Sequence, residues 1–345
     1  MMRNLKISVI IPTLNEQQAL PLLLADLAAQ QGVSLHIIIS DGGSRDATCA
    51  LAEQCCQELG LSLQLVRGEA GRGGQLNRGA KGATSDWLLF LHADSRLPDS
   101  SQLAEAVQRL SDKDDDVQSA GRFRLRFSDA ESLAYQYYEI KAQLGRAGCI
   151  HGDQGFLLRR DFFNQVGPFR EDLPVMEDTL LAERIRDCGS WLLLPGEIIT
   201  SARRFEREGL AQRQTLNALM MNFAHIGWFD FFEQAPALYR QQDKTQTLQL
   251  RPFFDLIATL LAAMPLKERW RIWLDTGAYV RSQFWQLGLA LDVKRTAEAG
   301  VAAGSVPMRW LKRVDRWFDP LTDNCIGRLV ATLLVRGWFF VQKHG

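Results

Sequence analysis

Ser8-Val9-Ile10-Ile11-Pro12-Thr13-Leu14-Asn15-Glu16 is the stretch on which the fold reading turns. Ile7 to Ile11 is a continuous apolar run rich in β-branched residues, which suits a strand buried on both faces of a parallel sheet. Thr13-x-x-Glu16 follows as a capping-box pattern, and apolar residues at 20, 23, 24 and 27 recur at helical spacing behind it. Pro21 falls too early to break that helix.

The alternation continues outward. Leu35 to Ser40 reads as a second strand ending at Asp41-Gly42-Gly43-Ser44, with a helix from about Asp46 to Leu59. Ser62 to Val66 and Trp87 to Leu91 read as further strands, the latter ending at His92-Ala93-Asp94. Strands alternating with helices predict βαβ units and a parallel sheet. Ligands of such sheets sit beyond the carboxyl ends of the strands, where Asp41 and Asp94 fall. Gly121 to Phe127 alternates basic and apolar residues, like a strand with one wet face. A helix over 130–144, a strand over 154–158, helices over 160–166 and 176–188, and a segment over 191–195 follow. From about Gln212 the pattern is helical to the end. The expected division is 1–211 and 212–345. Asp112 to Asp116 reads as a solvated loop and Gly300 to Pro307 as a linker.

Bulk composition narrows the function classes. The 345 residues carry forty Lys/Arg and forty Asp/Glu, so no global field points to nucleic acid. From Asp243 onward there are fifteen basic against nine acidic residues. A basic tail of this kind suits an anionic surface, although ordinary scatter gives the same count. Six cysteines, none in a C-x-x-C pair, read as reduced core residues of a reducing compartment. The N-terminus lacks the pattern of a signal peptide. No run of eighteen apolar residues occurs, the nearest, Leu329 to Val341, being broken by Arg336. A cytoplasmic protein, soluble or peripheral at the inner membrane face, is expected.

Each polar motif has a functional and a plain reading. Asp41 could accept hydrogen bonds from a nucleobase or ribose, or simply close a turn. Gly68 to Gly79 lacks the Gly-Lys-Ser/Thr of a phosphate loop. Arg72, Gln75 and Asn77 could reach a base or phosphate, but a mobile surface loop is the stronger expectation. Asp94 is a candidate ligand for Mn²⁺ or Mg²⁺, hard ions that prefer oxygen, or else a turn cap. Asp178, in Met176-Glu177-Asp178, is a candidate general base or a first-turn acid favoured by the helix dipole. Arg203, Arg204 and Arg207 could pair with a diphosphate or form a solvated basic face.

In order and spacing, Ser8 to Glu16, Asp41 to Ser44, Leu89 to Asp94 and Glu177-Asp178 resemble glycosyltransferase family 2. Gly152-Asp153-Gln154-Gly155 and Ser201-Ala202-Arg203-Arg204 resemble a bacterial subgroup associated with radical-SAM, arsenosugar or selenium gene neighbourhoods. The resemblance covers about residues 5 to 241 and implies a GT-A fold, mostly parallel in its central sheet, followed here by a helical C-terminal extension. It implies inverting transfer from a nucleotide-sugar, uridine being the commonest nucleotide, with Mn²⁺ or Mg²⁺. Thr13, Asp41 and Arg72 would hold the nucleoside, with Glu16, Asn77, Asp94 and Arg204 completing the donor set. Asp94 would bind the metal and Asp178 would be the base. His92 stands where the first acid of D-x-D usually lies. Ser201 and Phe205 replace Gln and Trp of the processive Q-x-x-R-W, so a single transfer to a small-molecule or lipid-linked hydroxyl is expected. Two rival readings are a sugar-nucleotide nucleotidyltransferase and an inactive nucleotide-sugar binding protein. Pro12 to Glu16 replaces the Gly-rich catalytic loop of the former, and the latter would be expected to have lost Asp94 or Asp178.

The tail adds one more expectation. Trp310, Val314, Trp317 and Phe318 share a helical face beside Leu311, with Arg309, Lys312, Arg313 and Arg316 around the rest. That is the composition of an interfacial helix, although packing of the aromatic face into the core is the stronger expectation.

Overall fold

The structure, a computed structural model, describes residues 5–112, 118–128, 132–242, 247–299 and 306–344. Most of the Asp112–Asp116 run and of the Gly300–Pro307 segment lies outside the described residues.

The chain divides into two compact units, Met1–Ala130 with Lys141–Ala202, and Glu131–Ile140 with Arg203–Gly345. The strands are β1 (Leu5–Thr13), β2 (Val33–Asp41), β3 (Ser62–Arg67), β4 (Trp87–Phe90), β5 (Ser119–Ser128), β6 (Phe156–Arg159) and β7 (Ser190–Ser201). Among them run helices α1 (Leu20–Ala28), α2 (Thr48–Leu59), α3 (Arg72–Lys81), α4 (Gln102–Ser111), α5 (Leu133–Gln143), α6 (Arg160–Val166) and α7 (Glu177–Cys188).

The seven strands form one sheet in the order β3-β2-β1-β4-β6-β5-β7. β3, β2, β1 and β4 run parallel. β6 is antiparallel to both its neighbours, β4 and β5. The fold is therefore mixed α/β with a mostly parallel sheet, as expected.

Alternation on β1 sends Ile7, Val9 and Ile11 to one face and Ile10 to the other. The first face packs on Leu20, Leu23, Leu24 and Leu27 of α1 and on Leu103, Ala106, Val107 and Leu110 of α4. The second packs on Phe162, Phe163, Phe169 and Leu181. Burial of each of the Ile, Val, Leu and Phe side chains contributes about 1.5–3 kcal/mol.

Three local readings need correction. The Thr13-x-x-Glu16 pattern caps no helix: α1 starts at Leu20 with Ala19 before it and no side-chain cap. Thr13 ends β1, and its hydroxyl turns to Asp41 instead. Arg122 is not on a wet face. It is buried, donates to the carbonyls of Gln143 and Leu144, and is pushed down to about 10 by burial. The cysteines are all free, but Cys188 and Cys325 are exposed and so are not core residues.

Gly68 to Gly79 holds the largest difference. Arg72–Lys81 is a helix in which Gln75 and Asn77 are buried. Its glycines explain why. A Cβ on Gly79 would lie 2.5 Å from Ile10 Cγ2, and one on Gly73 would lie 2.3 Å from the Arg170 carbonyl oxygen. Missing side chains let a polar helix lie directly on the sheet.

The second unit has no strand among its described residues. It contains α8 (Arg203–Glu208), α9 (Leu210–His225), α10 (Asp230–Arg240), α11 (Arg251–Ala263), α12 (Leu266–Ser282) and α13 (Trp285–Glu298). It continues with α14 (Arg309–Arg313), α15 (Asp319–Thr322) and α16 (Cys325–His344). α12 and α16 touch at Gly277, where a Cβ would lie 2.0 Å from the Thr332 hydroxyl.

Candidate active site

Both acids expected at strand ends are there. Asp41 is the last residue of β2, and Asp94 follows β4 in a turn. Their environments differ. The Asp41 carboxylate accepts from the backbone N–H groups of Gly43 and Ser44, 2.9 Å each, from the Ser44 hydroxyl and from Thr13 Oγ1 at 3.2 Å. Burial disfavours its charge, but the Ser44 hydroxyl and the other donors outweigh it and lower its pKa. The carboxylate thus closes the turn and ties β2 to Thr13 at the end of β1.

Gln75, projected from α3, fixes the same strand ends. Its Nε2 donates to the Thr13 and Ser40 carbonyls, both at 2.8 Å. Asn77 on the same helix is a clamp: it donates to the Phe169 carbonyl and to Glu171, and accepts from the Phe169 N–H at 2.9 Å. The Asn77 amide is therefore committed to the 169–171 segment. Glu16 is half-buried, and its N–H donates to Thr48 Oγ1 at 2.8 Å.

Asp94 sits on a loop held two residues further on. Arg96 makes a bidentate pair with Asp26 on α1, 2.6 and 2.9 Å, and the Leu97 N–H also donates to Asp26. Arg96 exchanges both backbone hydrogen bonds with Ile199 of β7. Two sides of the fold thereby fix the Asp94 turn.

The centre of the site is built by Arg72, His92, Asp153, Glu177 and Asp178. Arg72, at the start of α3, forms an ion pair with the fully buried Glu177. Met176, just before α7, adopts φ +72°. A non-glycine residue there is strained, and the strain aims Glu177 and Asp178 from the first turn of α7. Asp178 accepts from the backbone N–H groups of Gly152 and Thr179, each at 2.7 Å. Burial pushes its pKa up, but Arg72, then His151, the Gly152 N–H and His92 overcome that and leave it at about 2. A Cβ on Gly152 would lie 3.0 Å from both Asp178 Oδ2 and His92 Nε2. His92, in the place of an expected acid, is thus beside the base candidate across a bare backbone.

Asp153 is the residue that strand and helix patterns did not single out. Burial first, then Asp178 and Asp94, push it up to about 7. Its Oδ1 is buried and without a hydrogen-bond partner, as is Oε2 of Glu177. Its only advance signal was its place in Gly152-Asp153-Gln154-Gly155. Nothing local indicates that this turn abuts both Asp94 and Asp178. Arg204 is exposed on α8, in the second unit.

Comparisons with known proteins bear on the fold and the family rather than on these side chains. Residues 8–167 match the family model described as Glycosyl transferase family 2. The PGL/p-HBAD biosynthesis glycosyltransferase of Mycobacterium tuberculosis is 30% identical over 175 residues, covering 50% of this chain and 66% of its own length. The chain thus spans just under two thirds of that relative. The dolichyl-phosphate beta-glucosyltransferase of Drosophila melanogaster is 30% identical over 138 residues, covering 35% of this chain and 42% of its own. A mannosyltransferase from Pyrobaculum calidifontis, solved with GDP-Man and Mn²⁺, aligns at TM-score 0.51 and 18% identity over 96% of this chain and 87% of that one. At that identity it supports the fold alone. Over residues 8–167, just under half of its length, the chain is thus similar to glycosyltransferase family 2.

Proposed function

We propose that the chain is an inverting glycosyltransferase that makes a single transfer from a UDP-linked sugar to a hydroxyl acceptor, small-molecule or lipid-linked. The observation that carries this reading is the meeting of Asp178, held at about 2, with Arg72, Asp153 and His92 beyond the carboxyl ends of β1 and β4.

Asp178 is ionised at neutral pH and can accept a proton. It takes the hydrogen of the acceptor hydroxyl as the acceptor oxygen bonds to the anomeric carbon. The bond from that carbon to the donor phosphate breaks, and its electron pair leaves on the nucleoside diphosphate. Attack opposite the leaving group inverts the configuration. A carboxylate with a low pKa is a weak base, so the proton moves late, when the bonding oxygen has become acidic. Arg72 neutralises negative charge beside the base. Thr13, Glu16, Asp41 and Asn77 shape the nucleoside end, largely through the turn and the clamp described above, and Arg204 is assigned to the diphosphate by family resemblance alone.

The acids suit a divalent ion that arrives with the donor. Among the described residues no three His, Cys, Asp or Glu side chains form a ready-made cage. Small hard ions, however, commonly use one or two carboxylates and fill the remaining positions with substrate phosphates and water. Asp94 would be that carboxylate, and the partnerless Asp153 oxygen is a second acceptor in the same crowd. Mn²⁺ or Mg²⁺, when bound, would neutralise charge on the departing diphosphate.

A thermal-shift panel of nucleotide-sugars, with and without Mn²⁺, tests the donor, because a bound ligand raises the melting temperature. UDP-sugars should give the largest shift, and Asp94→Ala should erase its Mn²⁺-dependent part. Asp178→Asn should retain the shift and lower turnover by roughly 10²–10⁴. Near-normal turnover in that variant would return Asp178 to helix capping.

A further inference from the structure

Helix α16 has two contrasting sides. One is packed: Thr332 is fully buried at Gly277 of α12, and Phe339 lies against Phe254 of α11 and Trp273 of α12. The other carries Ile326, Leu329, Leu333, Leu334, Phe340 and Val341, which are 47–71% exposed. At 100° per residue these six fall within about 140° of arc, along a helix of about 30 Å. Soluble monomers rarely leave so continuous an apolar face uncovered.

Charge identifies what covers it. α16 contains Arg328, Arg336 and Lys343 and no Asp or Glu. Arg336 lies over the Trp270 ring at 4.4 Å, and Lys343 falls on the same flank of the helix. Upstream, Arg309, Lys312, Arg313 and Arg316 face only one acid, Asp315, within the same stretch. Exposed Trp317 and Leu321 follow. Apolar stripe, cationic flank and aromatic residues together are the chemistry of a helix lying in an anionic bilayer surface. A second copy fits poorly, since pairing the stripes would bring like charges together.

We infer that α16 seats the protein on anionic membrane, lying in the plane of the surface with Ile326 to Val341 in the lipid. By length and composition the helix could also cross a bilayer. Crossing, however, would strip Thr332 and Phe339 from α11 and α12. The stretch 308–318, which has the composition of an interfacial helix but is expected more strongly to pack its aromatic face, is largely occupied by packing. Leu311 is buried, Trp310 lies between Arg295 and Arg313, and Phe318 stacks on Phe284 at 4.5 Å. The inference is independent of the transfer reaction.

Flotation of the full chain with phosphatidylcholine vesicles, with and without phosphatidylglycerol, tests it. Binding should need the anionic lipid and fall at high salt. The double variant Leu333→Glu/Leu334→Glu should keep its melting temperature, since both side chains are exposed, and bind at least about tenfold more weakly, a loss of 1.4 kcal/mol or more. Phe340→Ser/Val341→Ser repeats the measurement should the first variant misfold. A wild-type chain that stays unbound at low salt overturns the inference. So does undiminished binding in a folded variant, salt-resistant and alkali-resistant insertion, or a dimer that the same substitutions dissociate.

Discussion

Helices α3 and α16 reverse what their compositions suggest. α3 reads Arg-Gly-Gly-Gln-Leu-Asn-Arg-Gly-Ala-Lys, as polar as a surface loop, yet Gly73, Gln75, Leu76, Asn77 and Gly79 are buried. α16 is mostly apolar over twenty residues, yet Thr332 is its one buried residue among those described. Hydropathy misleads in both cases because it ignores shape and partners. α3 gets under the sheet because its glycines permit an approach that no side chain would allow, and its amides find carbonyls at the strand ends. α16 stays outside because its packed face is narrow and, among the described residues, no further element of the unit covers the rest.

Substitutions can break the contrast, and the largest effect is expected at Gly73. Gly73→Ala drives a Cβ into the Arg170 backbone carbonyl, which cannot swing aside. α3 must lift from the 168–171 segment, a loss of roughly 3 kcal/mol, of the order of the heavier overpacking penalties. Denaturant unfolding measures it, and an unchanged midpoint would show that glycine is not what seats the helix. Next comes Asn77→Ala, which strands the Phe169 N–H and carbonyl and should cost roughly 1–3 kcal/mol. A neutral result would mean that water replaces the clamp. The smallest effect belongs to α16: Leu334→Gln, at an exposed position, should shift stability by no more than about 0.5 kcal/mol. A clear loss there would reveal packing on the stripe in solution and remove the contrast.

The same two helices mark how far the sequence could be read. β1, β2 and β4 were legible because strands buried on both faces leave continuous apolar runs, and the ends of β2 and β4 placed Asp41 and Asp94 beforehand. α7 was legible through its periodicity, and with it Asp178. α4 carries a signal too, Leu103, Ala106, Val107 and Leu110 at helical spacing, although the expected alternation of elements did not include it. The rest depends on pairs distant in sequence. Arg72 with Glu177, Arg96 with Asp26, and Asp153 beside Asp94 and Asp178 are juxtapositions created by the sheet order. No local pattern encodes them. The Asp41 carboxylate is a different case: its turn role was visible as one of two readings, and only the positions of Gly43, Ser44 and Thr13 decide how its oxygens are used.

Gly277 carries a consequence for sequence divergence. The contact at Thr332 leaves no room for even a methyl group while α16 is docked. Lineages that retain this terminal helix should therefore be barred from drifting at position 277, whereas lineages that have shed the helix should accept alanine or serine there freely. Glycine at one internal site would then act as a marker, readable in genomes alone, of whether the distant terminus is still in use.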